Sequence, residues 1–159
     1  MITVRPAHAD ELAEVGELTV RAYAEWLEPD DFYVRHLRDA ATRAREAEVY
    51  VALLGQDLAG TVTFCPQESP WSEIAQPGEG EFRMLAVDPA AQGAGAGTAL
   101  ARLCEERARA HGATGMALSS LATMAAAHTV YGRLGYARDP ERDWSPVPGV
   151  DLLAFAKRL

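Results

Sequence analysis

The sequence predicts one α/β domain, a mixed sheet with helices on its faces, and three observations lead there. The first is length: 159 residues against about 150 per domain gives a single domain, 1–159, as the expectation. The second is composition, 48% hydrophobic and 24% charged, which suits a packed core and argues against disorder. The third is patterning. Period-two and helical-period stretches alternate in the order β-α-α-β-β-β-α-β-α-β-β, which is the signature of a sheet covered by helices.

The elements follow in order. Ile2-Thr3-Val4-Arg5 alternates apolar and polar and predicts a short strand that Pro6 ends. From Asp10 to Trp26, Leu12, Val15, Thr19, Ala22 and Trp26 recur at helical steps and form one face. Pro29-Asp30-Asp31 breaks the chain and offers a carboxylate cap, so a second helix is expected with Tyr33, Leu37, Ala41 and Ala44 inward. Val49–Leu54 and Leu58–Phe64 are two strands joined by the short turn Gly55-Gln56-Asp57, a hairpin. Residues 67–80 hold Pro70, Pro77, Gly78 and Gly80 and predict a loop. Its length favours a functional role over mere connection.

Glu81–Val87 is the next strand, with Glu81, Arg83, Leu85 and Val87 expected on one face, and Asp88-Pro89 stops it. A helix then runs to about His111, with Leu100, Leu103, Cys104 and Ala108 inward and Gly112 as its cap. Met116–Leu121 is a strand, 123–134 a helix capped by Gly135, and Tyr136–Arg138 and Val150–Ala156 are the last strands. Pro140, Pro146, Pro148 and Gly149 mark a long connection between those two.

Charge narrows the function. The net charge of -8 disfavours polyanionic partners, so neither nucleic acid nor an anionic membrane surface is expected, and a cationic partner is favoured. No apolar run approaches the ~18 residues of a membrane span. The first residues hold no apolar signal core, which makes a cytoplasmic location the expectation. Cys65 and Cys104 sit in apolar surroundings and predict buried, reduced thiols. No second Cys or His stands at ligand spacing, so no metal is expected.

Gly93, Gly95 and Gly97 fall within five positions between a strand and a helix. Glycine lets a backbone turn tightly and approach a ligand, and a helix N-terminus offers unpaired N–H groups with partial positive charge. Together they can cradle phosphate. Alone, such a segment is as often a flexible Ala/Gly turn. A nucleoside-triphosphate loop needs a lysine here, and Lys157 is the only lysine in the chain. A dinucleotide fingerprint needs a third glycine at Thr98 or Leu100, and neither is glycine.

The spacing that is present, Gln92-x-x-Gly95-x-Gly97 after Val87-Asp88-Pro89, resembles the central motif of the GNAT family of acyl-CoA-dependent N-acetyltransferases. A second block, Ala126 to Tyr136 with Tyr131-Gly132-Arg133-Leu134-Gly135-Tyr136, is similar to that family's helix ending in Tyr-x-x-Leu-Gly-Phe/Tyr. The two blocks span residues 81–136 in the family's order. The resemblance implies a mostly antiparallel central sheet flanked by helices, acetyl-CoA as cosubstrate, and direct transfer to an amine in a ternary complex. It implies that backbone groups of Leu85, Ala86 and Val87 pair with the pantetheine arm. Gln92, Gly93, Ala94, Gly95, Ala96, Gly97 and Thr98 would hold the pyrophosphate, and Tyr131 would protonate the leaving thiolate. Ala94 stands where many members carry a basic residue, and Met124 where an asparagine is common. These departures keep a second expectation open: a non-catalytic domain of this fold that binds acyl-CoA as a sensor or partner.

Acyl transfer to an amine needs the amine deprotonated, the carbonyl polarised and the thiolate stabilised. Glu81, at the head of the strand that enters the motif, is the candidate base, acting through water or after burial raises its pKa. It is equally an exposed strand-end carboxylate. The first two helices and the long loop are expected to form the acceptor pocket. They carry Tyr23, Trp26, Tyr33 and Trp71, with Glu25, Glu28, Asp30, Asp31, Glu68 and Glu73. Aromatic walls with carboxylates suit an amine-bearing small molecule or peptide that is cationic in water. A monomer and a homodimer both fit the sequence.

Overall fold

Eight strands form one mixed sheet in the computed structural model, which describes residues 1–29 and 31–159. In chain order they are β1 (Ile2–Pro6), β2 (Glu48–Leu54), β3 (Asp57–Cys65), β4 (Glu79–Val87), β5 (Gly115–Leu121), β6 (Ala137–Arg138), β7 (Trp144–Val147) and β8 (Val150–Arg158). The helices are α1 (Leu12–Tyr23), α2 (Phe32–Arg38), α3 (Ala40–Glu46), α4 (Ala96–Ala110) and α5 (Ala125–Arg133). The sheet order is β1-β2-β3-β4-β5-β8-β6, with β7 also paired to β8. Every pairing is antiparallel except β4 with β5. That parallel pair is joined through α4, the crossover that parallel neighbours require.

The two faces of the sheet have separate cores. On one, α4 packs Ala96, Leu100, Cys104 and Ala108 against Val62, Phe64, Phe82, Met116, Leu118 and Phe155, with Tyr131 of α5 and Tyr136 beside them. On the other, Leu18 and Tyr23 of α1 and Tyr33 and Leu37 of α2 cover Met84, Ala86, Leu121 and Leu152. Both cysteines are buried free thiols.

Three departures from the sequence pattern have local causes. The expected second helix is two, because Asp39 leaves helical geometry at ψ 65° and its carboxylate accepts from the Thr42 N–H and hydroxyl. This Asx-type cap restarts the helix with a new phase, so Ala40 and Arg43 turn inward and Ala41 is exposed. The expected connection before the last strand contains β7, which the prolines had concealed; its pairing to β8 is irregular, where Pro146 is tolerated.

The third departure matters most. Glu81, Arg83, Leu85 and Val87 do not share a face. Met84 has φ 54°, and between Thr61 and Thr63 the register passes from Ala86 to Arg83, so β4 carries a bulge. One inserted residue reverses the alternation beyond it. Phe82, Leu85 and Val87 therefore face α4, while Met84 and Ala86 face α1 and α2.

Candidate active site

The bulge also opens the sheet. β4 and β5 pair from Glu79↔Gly115 to Phe82↔Leu118 and no further. Beyond that point β4 continues only against β3, and β5 only against β8. A gap forms between them, edged on one side by the backbone of Arg83 to Val87. Tyr23 braces this edge from α1: its hydroxyl donates to the Leu85 carbonyl at 3.0 Å. One of the backbone groups expected to serve the pantetheine arm is thus engaged. Nothing in the sequence around Tyr23, beyond its helical face, points to this contact.

The glycine segment lies at the end of the same strand. Asp88 accepts from the Ala90 N–H and pairs with Arg21 at 2.9 Å, which fixes the exit from β4. Gly93 and Gly95 both take left-handed φ, 86° and 91°, where a side chain would strain the backbone. Gly95 is the N-cap of α4, and no side chain caps the helix. The first α-helical bond runs from Ala99 N–H to the Gly95 carbonyl, so the N–H groups of Ala96, Gly97 and Thr98 precede the ladder. The first turn carries no carboxylate. Gln92, Gly93, Ala94 and Gly95 are exposed, while Ala96 is buried and Gly97 and Thr98 are half-buried. Uncapped donors, partial positive charge and no nearby side chain fit a phosphate group.

Tyr131 of α5 packs beside Phe82, the last residue of β4 that pairs with β5. Its ring lies 6.1 Å from Phe82, 6.3 Å from Tyr136 and 5.8 Å from Phe155, and it is almost fully buried. Burial raises its pKa above the usual 10, and Cys104 adds to the shift. Its hydroxyl donates to no group among the described residues. Tyr23 is likewise raised by burial.

Glu81 is fully buried on the α1–α2 side. Its Oε1 accepts from the backbone N–H groups of Glu73, Ile74 and Ala75 at 2.9, 2.9 and 3.0 Å, and from the Ser72 hydroxyl at 3.3 Å. Its Oε2 is sealed and has no partner among the described residues. Burial pushes the carboxyl up, against those backbone bonds. The loop before β4 is therefore folded around this carboxylate. Tyr131 lies on the α4–α5 side of the sheet, so the structure does not bring Glu81 and Tyr131 together.

A cavity of about 360 Å³ opens on the α1–α2 side. Tyr33, Trp71 and Glu73 line it as expected, but so do His36, Glu46, Arg83 and Trp144. Tyr23, Trp26, Glu25, Glu28, Asp31 and Glu68 do not, and Asp30 lies outside the described residues. Arg83 was legible only as a strand residue, and Trp144 sat in what looked like a connection. Among the described residues no group of three or more His, Cys, Asp or Glu could hold a metal, and no helix is long and apolar enough to cross a membrane.

A family model described as "Acetyltransferase (GNAT) family" matches residues 12–136. No curated protein is similar enough in sequence to match. Among solved structures, the PaiA N-acetyltransferase of Thermoplasma acidophilum, in complex with coenzyme A, is similar at TM-score 0.76 and 14% identity, covering 100% of this chain and 99% of that one. The ribosomal-protein-S18-alanine N-acetyltransferase of Escherichia coli is similar at TM-score 0.72 and 20% identity, covering 99% and 94%. A putative acetyltransferase of Salmonella typhimurium, YncA, with its cofactor acetyl-CoA, is similar at TM-score 0.69 and 22% identity, again covering 99% and 94%.

Proposed function

Because the chain belongs to the GNAT acetyltransferase family, we propose that it is an acetyl-CoA-dependent N-acetyltransferase that acts by direct transfer to an amine in a ternary complex. The observation that carries this reading is the gap between β4 and β5, with an uncapped helix N-terminus following the end of β4 and, on the α1–α2 side, an aromatic-walled cavity lined by Arg83 of the same strand. Acetyl-CoA supplies the activated acyl group as a thioester. The N–H groups of Ala96, Gly97 and Thr98, with the turn from Gln92 to Gly95, take the pyrophosphate. The edge from Leu85 to Val87, unpaired on its β5 side, receives the pantetheine arm as an added strand and polarises the carbonyl.

Tyr131 donates a hydrogen bond to the departing sulfur. Its phenol is raised above 10 by burial, whereas an ordinary thiol titrates near 8.5. Full proton transfer to a thiolate therefore runs uphill, and Tyr131 is best suited to stabilise the thiolate while keeping its proton. The proton the sulfur finally takes then originates on the amine. Glu81 can receive a proton only when the loop 72–75 lifts from it, because its free oxygen is sealed.

Thermal unfolding with acetyl-CoA tests the cosubstrate, with ATP and NAD as controls. Ligand at ~100 times its dissociation constant adds about 2.7 kcal/mol, a rise of roughly 5–11 °C for a chain of this size. Thiol release with a panel of amines then tests transfer. A rise with acetyl-CoA alone, followed by amine-dependent thiol release, is the expected result. Stabilisation without thiol release from any amine would leave a binding domain.

A further inference from the structure

The cavity on the α1–α2 side holds a cation that acetyl transfer does not itself require. The Arg83 side chain is 7% exposed. Its guanidinium lies 5.7 Å from the Trp71 ring centre and 5.4 Å from that of Trp144, between two aromatic rings. Both indoles are fixed through their own N–H groups, Trp71 to Glu46 Oε1 at 3.1 Å and Trp144 to Ser119 Oγ at 3.0 Å. The rings are therefore held in place before any ligand arrives.

Arginine carries five N–H donors in a planar fork. Among the described residues, Arg83 uses Nη1 to reach the Trp71 carbonyl at 3.2 Å. The nearest carboxylate, Glu73, stands at 3.9 Å, too far for a hydrogen bond. The Tyr33 phenol, raised by burial, is drawn partly back by the Arg83 charge and by a side-chain contact with its guanidinium. Arg83 lines the cavity, and its nitrogens are not among the sealed unpartnered atoms. Its remaining donors open into that space. A buried guanidinium fork with donors left over suits a planar anion.

The surroundings select which anion. Glu46 and Glu73 also line the cavity and repel a doubly charged group, while they favour an ammonium. The walls are Tyr33, His36, Trp71 and Trp144, and the volume of about 360 Å³ is near the small end for ligand sites. We propose that the acceptor is an amine that also bears a carboxylate on a compact apolar or aromatic body, as in an aromatic α-amino acid, with the carboxylate held by Arg83. This rests on the acetyltransferase reading for its amine and deepens it by naming the substrate class.

Matched pairs test it: L-phenylalanine against phenethylamine, and L-tryptophan against tryptamine. Initial rates of thiol release with saturating acetyl-CoA give kcat/KM for each. The amino acids are expected to be preferred by about tenfold or more, the worth of a charge-assisted hydrogen bond. In Arg83→Gln that preference falls towards one, with KM carrying the change, and Arg83→Lys retains part of it. Coenzyme A affinity, read on the other side of the sheet, reports whether each variant is folded.

A parallel measurement needs no turnover. With coenzyme A bound, L-tryptophan is expected to raise the unfolding temperature of the wild type and not of Arg83→Gln. Equal use of both members of each pair by the wild type overturns the substrate class while leaving acetyl transfer standing. Stabilisation by L-tryptophan through Arg83 without thiol release does the opposite: it overturns acetyl transfer and supports the carboxylate site. Neither turnover nor stabilisation with the amino acids overturns the proposal.

Discussion

The two sides of the gap between β4 and β5 are built by different means. On the α4 side the site is backbone: a left-handed Gly95, an uncapped first turn, and a strand edge released by a bulge. All of it lies between Arg83 and Thr98. On the α1–α2 side the site is side chains brought from distant segments, with Tyr33 from α2, Trp71 from the loop, Arg83 from β4 and Trp144 from β7. A backbone site depends on local conformation and tolerates any side chain that keeps it. A side-chain site depends on long-range packing, and it can change its ligand without disturbing the fold.

This contrast predicts that one charge on the α4 side removes cofactor binding with little effect on stability. Gly97 is the place to put it. Its backbone is not left-handed, and an added Cβ would meet only Val87 Cγ2 at an ordinary 3.6 Å. Gly97→Glu therefore has room for its Cβ and an unstrained backbone, and it sets a carboxylate where phosphate is expected. Two unit charges about 4 Å apart at an effective dielectric of ~20 repel by about 4 kcal/mol, close to a thousandfold in affinity. Isothermal titration with coenzyme A checks this, alongside an unfolding temperature near that of wild type. Unchanged affinity would place the phosphates elsewhere.

The same local and non-local contrast decides what could be seen in the sequence. The helix that follows the glycine segment and the strand before it were legible, because glycine spacing and a run such as Phe82 to Val87 act over a few residues. The order of elements was legible for the same reason. The bulge was not, since Met84 is an ordinary strand residue and only its φ of 54° reveals the inserted position. That one residue moved Leu85 and Val87 away from Glu81. The aromatic clamp on Arg83 was hidden too: Trp144 follows Pro140 and precedes Pro146, a context that spells a loop. Glu81 was visible as a carboxylate, but nothing local showed three N–H groups folding onto it.

Glu81 makes the second break in the comparison. On the side-chain face, removing one group should cost stability, because its partners have no other acceptor. Glu81→Ala leaves the N–H groups of Glu73, Ile74 and Ala75 without their shared oxygen. At about 1 kcal/mol for each lost bond, the loss is about 3 kcal/mol, or roughly 6–12 °C in unfolding temperature. Calorimetry of the apo protein measures it. A Gly97→Glu change larger than this one would reverse the comparison.

Tyr131, the side chain expected to act on the α4–α5 side, should affect rate rather than stability or affinity. Tyr131→Phe keeps the ring among Phe82, Tyr136 and Phe155 and deletes a hydroxyl that bonds to nothing among the described residues. Coenzyme A affinity is expected to hold. The turnover number should fall on the order of tenfold to a hundredfold, the range for losing one donor at a developing charge. Unchanged turnover would assign the thiolate's stabilisation to the backbone edge or to water.

The smallest effect separates the Glu81 charge from its role as an acceptor. Its folded pKa is raised above the usual 4.5 by burial. Below the unfolded value the carboxyl is protonated in both states and adds no pH dependence. Above it the unfolded chain ionises first while the folded protein keeps its proton. The folded state then binds more protons, so this group's contribution to stability falls as pH rises, until the folded pKa is passed. Glu11, Asp39, Asp88 and Asp143, held low by hydrogen bonds, slope the opposite way, but below the usual carboxylate range and so beneath the window of Glu81. Glu81→Gln keeps an oxygen for the three N–H groups and does not titrate. Denaturant unfolding of both proteins across the range upward from about 4.5 should show the variant gaining on the wild type as pH rises. A constant difference would mean that the carboxylate is satisfied when charged, and that its second oxygen finds a partner once the loop moves.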